Sequence, residues 1–310
     1  ASYIEYQEAL KGVIKQKDDV RKKVKEFVKE GIENVFFVGC GGSLAVMFIG
    51  KYILDSNSKI PYYIYNSGEF IQIKPKALGK NSLVILASSS GNTPETVEAA
   101  KLAKDNNCKT IGITKSPESQ LSKITDYAIY LKASTNLYDL KLLSVFEIVL
   151  ALIKEKENFI QYQDIMRCLD SMPQALVEIK HKVTDRAVDF AKRYKDEKVF
   201  LTLGSGRCFG QTYSYSICIL EEMQWIYAQP IHAGEYFHGP FEVVDQNTNL
   251  LILKGEDLTR PLVDRVIEFS KKYTKKITII DTKEFEIPVA EELRGYFSPF
   301  ILSAVLDVYS

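Results

Sequence analysis

Two short apolar runs, VFFVG at Val35–Gly39 and VFLTLG at Val199–Gly204, each lead into a loop rich in glycine and serine. The loops read GCGGSL and GSGRCFG, and their first glycines, Gly39 and Gly204, stand 165 residues apart. Later runs keep nearly the same spacing: KTIGIT starts at Lys109 and KITIID at Lys276, 167 residues on. The same order of elements at a nearly constant offset is the mark of a duplicated domain.

The elements between these runs set the fold class. PYYIYN (Pro61–Asn66), SLVILA (Ser82–Ala87), DYAIYL (Asp126–Leu131) and NLLILK (Asn249–Lys254) read as strands. Helical patterns separate them: Ser2–Glu30 as one amphipathic helix, Leu44–Asp55, and Pro94–Asn106 with proline in its first turn. Leu176–Arg193 and Gln211–Tyr227 read as further helices. Apolar strands alternating with helices predict an α/β fold with a parallel sheet covered on both faces. The helix around Leu140–Lys154 closes the first copy, which divides the chain into residues 1–155 and 156–310.

Composition removes several classes of function. The 310 residues carry 40 Lys+Arg against 40 Asp+Glu, so no net field recruits nucleic acid or an anionic membrane. Five scattered cysteines without a CxxC pair fit reduced thiols in a cytoplasm. His181, His232 and His238 do not combine with cysteines at a zinc spacing, so no metal is expected. The N-terminus lacks the pattern of a signal peptide. The longest apolar run, Leu142–Ile153, is interrupted by Glu147 and is too short for a bilayer, so a buried helix is expected.

Two loops of the first half can hold an anion. In GCGGSL, Gly41 lets the backbone approach a ligand and Ser43 offers a hydroxyl. In SSSGNTPET, Ser88, Ser89, Ser90 and Thr93 place four hydroxyls at a helix start, where unpaired N–H groups and the positive end of the dipole favour a dianion. Such residues also make ordinary caps, but two loops at the carboxyl ends of strands in one α/β unit point to a ligand. Neither loop is a G-x-G-x-x-G or a P-loop. Hydroxyls without a lysine suit one phosphate monoester. The second half has KGEDLT (Lys254–Thr259) at the corresponding place, where two carboxylates would repel a phosphate, so one phosphate cradle per chain is expected.

The densest polar cluster is Glu221–Asp245, with the only tryptophan and two of the three histidines. Glu222 precedes Met223, Trp225 and Ile226; desolvated by them, its carboxyl would have a raised pKa suited to moving a proton at carbon. His232 or His238 could open a sugar ring or protonate an amine. Glu221, Glu235 and Glu242 are carboxylates too, so the residues alone select the segment and not its members.

The motifs GCGGS, SGEF (Ser67–Phe70), SSSGNT and HAGEYFHGPFEVVD resemble those of the SIS (sugar isomerase) double-domain family over nearly the whole chain. Within it the chain is most similar to fructosamine-6-phosphate deglycases and similar to the isomerase half of glucosamine-6-phosphate synthase. The resemblance implies two tandem SIS domains, each a flavodoxin-like three-layer α/β/α unit. It implies phosphate contacts at Gly41, Ser43, Ser88, Ser89, Ser90 and Thr93, a catalytic glutamate at Glu222, and a catalytic histidine at His238 acting across a homodimer. It implies no cofactor. The isomerase relatives carry a tail with a lysine that closes over the sugar, and the sequence given stops at Ser310, so no tail contact is assigned. Without a glutaminase domain or an N-terminal cysteine nucleophile, ammonia production from glutamine is not expected. The expected activity is cleavage of a 6-phosphorylated fructosamine to glucose 6-phosphate and an amine. The alternatives are a sugar-phosphate isomerase or amino-sugar-phosphate deaminase, and a non-catalytic sugar-phosphate sensor.

Overall fold

The computed structural model describes residues 2–310. It contains two compact units, Ala1–Pro173 and Gln174–Ser310.

The first unit begins with α1 (Tyr3–Ile14) and α2 (Lys17–Glu30). The single helix expected over Ser2–Glu30 is therefore two. Ser2 and Glu5 form a capping box at the start of α1, which satisfies two orphan donors there. After β1 (Asn34–Gly39) come α3 (Gly42–Ala45), α4 (Met47–Asn57), β2 (Tyr62–Asn66) and α5 (Ser67–Ile73). Then follow β3 (Ser82–Ala87), α6 (Pro94–Asp105), β4 (Lys109–Thr114), α7 (Gln120–Ile124), β5 (Tyr127–Tyr130), α8 (Leu137–Glu157) and α9 (Tyr162–Leu169). The break between α1 and α2 has a use. The Gln16 amide donates to Tyr130 O at 2.9 Å and accepts from Tyr130 N at 3.1 Å, covering backbone groups of the edge strand β5.

The five strands are all parallel in the order β2-β1-β3-β4-β5. The inner strands β3 and β4 are buried throughout because helices cover both faces, and this is why their sequences run apolar without alternation. On one face Phe36, Val38, Val84 and Leu86 pack with Phe70 of α5 and Ala99, Ala100 and Ala103 of α6. Each large side chain so buried contributes about 1.5–3 kcal/mol. α8 packs against α1, α2 and α4 and is buried from Asp139 to Ile153. No helix among the described residues is long and apolar enough to cross a membrane.

The second unit is led by α10 (Met172–Tyr194) and β6 (Val199–Gly204). α11 (Phe209–Ser214) passes into a π-helical turn, Tyr215–Glu221. Then come β7 (Tyr227–His232), β8 (Asn249–Lys254), α12 (Arg260–Ser270), β9 (Ile277–Asp281) and α13 (Arg294–Tyr309). The sheet is parallel in the order β7-β6-β8-β9. This repeats the order of the first four strands of the other unit, as a duplication requires. The sequence pattern extended a helix to Tyr227, whereas the helix ends before Glu222 and Tyr227 begins a strand. Pro230 hides that strand from pattern reading. It is tolerated because β7 lies at the sheet edge, where a missing N–H breaks no ladder.

Candidate active site

In the first unit the chain leaves β1 for β2 on one side, and leaves β3 for β4 on the other. β1 and β3 are neighbours in register, with Val38 opposite Leu86, so the crevice beyond their carboxyl ends is the switch point of the sheet. The loops after both strands, Gly39–Ser43 and Ser88–Thr93, start there. Gly41 has φ +55°, and a Cβ on Gly39 would meet Ser43 O at 2.7 Å, so the first loop needs both glycines to turn this tightly. Ser43 is buried at the start of α3.

The second loop is built on its own hydroxyls. Ser88 is 2% exposed; its Oγ lies 2.8 Å from Thr93 Oγ1 and accepts from Gly91 N at 3.0 Å. Ser90 Oγ accepts from Asn92 N at 3.2 Å. Ser89 holds the loop to the next strand, since its carbonyl accepts from Lys115 N at 3.1 Å. Thr93 stands at the N-cap of α6 with Pro94 following, but its hydroxyl faces Ser88 and makes no cap bond. Ser67, first residue of the SGEF motif, is fully buried 2.9 Å from Thr96 of the same helix. Gly91 has φ +71°, and a Cβ there would collide with Ser119 and Thr114. Gly91→Ala is expected to cost about 1–3 kcal/mol of stability through the left-handed backbone alone. The collision adds to it and displaces Ser90 and Thr93, which thermal melting and a phosphate titration would both read. Unchanged melting would contradict this account of the loop.

The sequence reading supposed hydroxyls without a lysine, and the structure corrects it. Lys141 of α8 donates from Nζ to Ser43 Oγ at 2.8 Å, with the lysine 6% exposed. The signal was present in the sequence: Lys141 sits between Leu140 and Leu142 in a helix whose neighbours are nearly all apolar. A buried lysine there needs a partner elsewhere in the fold.

In the second unit the corresponding crevice is filled by the chain itself. The Asp257 carboxylate accepts from Arg207 N at 2.6 Å in the loop after β6, and from Thr259 N at 2.8 Å and Thr259 Oγ1 at 2.5 Å in the loop after β8. Gly206, with φ +57°, lies so close that a Cβ would strike Asp257. The neighbouring Glu256 is bound to Arg294 at 2.8 Å. An internal carboxylate thus bridges the two loops of this unit.

Glu222 and His238 also belong to the second unit. Glu222 N donates to Ile217 O at 3.1 Å, a bond five residues back that closes the π-helical turn. Such turns are frequent at functional sites. Three residues on, Trp225 has φ +58°, a left-handed backbone that costs a bulky residue free energy and is found where function demands it. The desolvation expected of Glu222 is not supplied within the chain: Glu222 is exposed, and Met223 and Trp225 are 62% and 87% exposed. His238 is exposed as well, between the short 3-10 turns Ala233–Glu235 and Pro240–Val243, with its N–H donating to Glu235 O at 3.0 Å. Glu222 precedes β7 and His238 follows it, so the six-residue strand lies between them along the chain. Of the alternatives, Glu221 accepts from Ala228 N at 3.3 Å and braces the start of β7, while His232 accepts from Gly234 N at 3.0 Å and caps a turn. Among the described residues no three His, Cys, Asp or Glu side chains gather as a metal ion would need.

Serine-lined loops thus lie at the switch point of one unit, while a carboxylate bridges the matching loops of its duplicate. A family model for the SIS domain matches residues 30–154. The chain is 41% identical to the fructosamine deglycase FrlB of Bacillus subtilis, over 94% of this chain and 91% of that one. It is 26% identical to the fructoselysine 6-phosphate deglycase of Escherichia coli, over 92% and 82%. A crystal structure from Bacillus subtilis described as a phosphosugar isomerase superposes with a TM-score of 0.89 at 40% identity, covering 95% of this chain and 92% of that one. This chain belongs to the SIS-domain family, alongside its fructosamine deglycases.

Proposed function

We propose that this protein is a deglycase that cleaves a 6-phosphorylated fructosamine to glucose 6-phosphate and a free amine. The observation that carries the reading is the likeness to a fructosamine deglycase along nearly the whole chain. The hydroxyl-lined loops at the switch point support a phosphate monoester as the group recognised. Gly41, Ser43, Ser88, Ser89, Ser90 and Thr93 hold that phosphate.

With the open-chain ketosamine held by its phosphate, Glu222 removes a proton from C1 as the C2 carbonyl oxygen is protonated, giving an enaminol. The proton returned to C2 leaves a C1–N aldimine. Water adds to C1, the nitrogen takes a proton, and the C1–N bond breaks to release the amine and the aldehyde of glucose 6-phosphate. The C2 carbonyl accepts the electron pair when C1 loses its proton, and the nitrogen lone pair forms the C1–N double bond when C2 is protonated, so the proton moves need only an acid and a base. His238 opens the ring or protonates the nitrogen, a task suited to imidazole. The strand separating Glu222 from His238 supports a homodimer in which each site takes the glutamate from one protomer and the histidine from the other. The apolar side chains of Met223, Trp225 and Tyr227, exposed beside Glu222, support the same arrangement. We place the enzyme in the cytoplasm.

Incubation with 6-phosphofructoselysine, coupled to glucose-6-phosphate dehydrogenase, is expected to generate NADPH. Ammonia from glucosamine 6-phosphate without NADPH from the ketosamine would replace the deglycase by a deaminase.

A further inference from the structure

Lys141 and Ser43 lie 98 positions apart, on α8 and at the start of α3, and meet through a buried hydrogen bond of 2.8 Å. The two side chains are 6% and 8% exposed. An ammonium group has donors only, so Ser43 Oγ must be the acceptor in this bond. The hydroxyl proton of Ser43 is then directed to some other acceptor. Polarised by the charge behind it, that proton makes a stronger bond to an anion than an ordinary serine would.

We infer that Lys141 is a positioning residue for the substrate phosphate: it fixes Ser43 as a donor and places a buried positive charge behind the loop after β1. This rests on the reading of the two loops as the phosphate cradle. The ligand class it selects is a phosphate monoester over the same sugar without phosphate, because the oriented Ser43 donor bonds an anionic oxygen more strongly than a neutral one. The arrangement also explains how a lone phosphate is held by loops made of hydroxyls. The loop after β3 supplies neutral donors, and α8 supplies the cation from below. The second unit differs at this point in kind, since its two loops are bridged by the Asp257 carboxylate.

The experiment is kinetics of the full chain with Lys141→Met, Lys141→Arg, Ser43→Ala, Ser90→Ala and Thr93→Ala, using 6-phosphofructoselysine as substrate and inorganic phosphate as competitor. A hydrogen bond to a charged group implies that Lys141→Met raises KM and the phosphate inhibition constant by roughly 10- to 100-fold. The expected change in kcat is much smaller, and Lys141→Arg recovers part of the loss. Combining Lys141→Met with Ser43→Ala should add little beyond either alone, since both break one relay. A Lys141→Met protein with unchanged KM and inhibition constant overturns the proposal, as does an effect confined to kcat. Should Lys141→Met fail to fold, Ser43→Ala decides: it removes only the hydroxyl, and an unaltered inhibition constant overturns the proposal equally. The cradle itself is judged separately. If Ser90→Ala and Thr93→Ala also leave phosphate inhibition untouched, the loops are not the phosphate site.

Discussion

Glu222→Gln is expected to lower kcat by about a hundred- to ten-thousandfold while leaving KM within a few-fold, because general acid–base groups contribute on that scale. The amide keeps the size of the side chain and cannot take a proton from C1. The variant should fold like its parent, since Glu222 is exposed and its backbone, not its carboxylate, closes the π-helical turn. With the phosphate held by the first unit, as proposed, phosphate inhibition should be unaltered. His238→Ala should also impair turnover. The more telling result comes from mixing. Within one chain β7 stands between the two residues, so a dimer with shared sites predicts that inactive Glu222→Gln and inactive His238→Ala proteins, refolded together, recover activity. One of the two sites in a mixed dimer then has both groups intact. Mixtures that stay inactive would rule out sharing, and retained turnover in Glu222→Gln would remove the glutamate from the mechanism.

The parts legible in the sequence were those that follow from local pattern. β1, β3 and β4 are buried on both faces, so their apolar runs announced them, and the spacing of those runs announced the duplication. The loops at Gly41–Ser43 and Ser88–Thr93 were readable as strand-to-helix turns because glycines and hydroxyls gather there, although the same residues also make ordinary caps. What escaped depended on contacts far along the chain. Gln16 looks like one more polar residue of an amphipathic helix until the edge of β5 is beside it. Nothing local to Lys141 says that Ser43, 98 positions away, lies against it. β7 was missed because Pro230 contradicts a strand everywhere except at a sheet edge, and edge position is a property of the finished sheet. The cover expected over Glu222 was inferred from neighbours in sequence, whereas Met223 and Trp225 turn outward with it.

The same helix α8 carries the second large effect. Glu147 is 1% exposed, and neither carboxylate oxygen has a hydrogen-bond partner. Burial pushes its carboxyl well above the usual range; Lys17 opposes the shift and Asp18 adds to it. Tyr127 of β5 and Tyr162 of α9 also feel its charge, and burial lifts Tyr162 to about 12. Arg21 near this site is already bound to Glu155 at 2.7 Å. The folded chain therefore holds a proton on Glu147 that the unfolded chain releases near its ordinary value of 4.5. Below pH 4.5 both states are protonated and the group carries no penalty of ionisation. Between 4.5 and the raised folded value the unfolded state binds fewer protons, so stability falls as pH rises. An unsatisfied buried polar group costs about 1–3 kcal/mol in addition. Glu147→Leu, of similar volume in a helix buried along this stretch, removes both penalties. It is expected to stabilise the folded chain by about 1–3 kcal/mol at neutral pH, and to flatten the decline in stability as pH rises above 4.5, which denaturant titrations at a series of pH values would resolve. Glu147→Gln removes the titration but keeps an unpaired amide, so it should flatten the pH dependence with a smaller gain. A Glu147→Leu protein less stable than its parent at every pH, with the slope intact, would mean that the carboxylate is paired in the folded chain and that the decline arises from other groups.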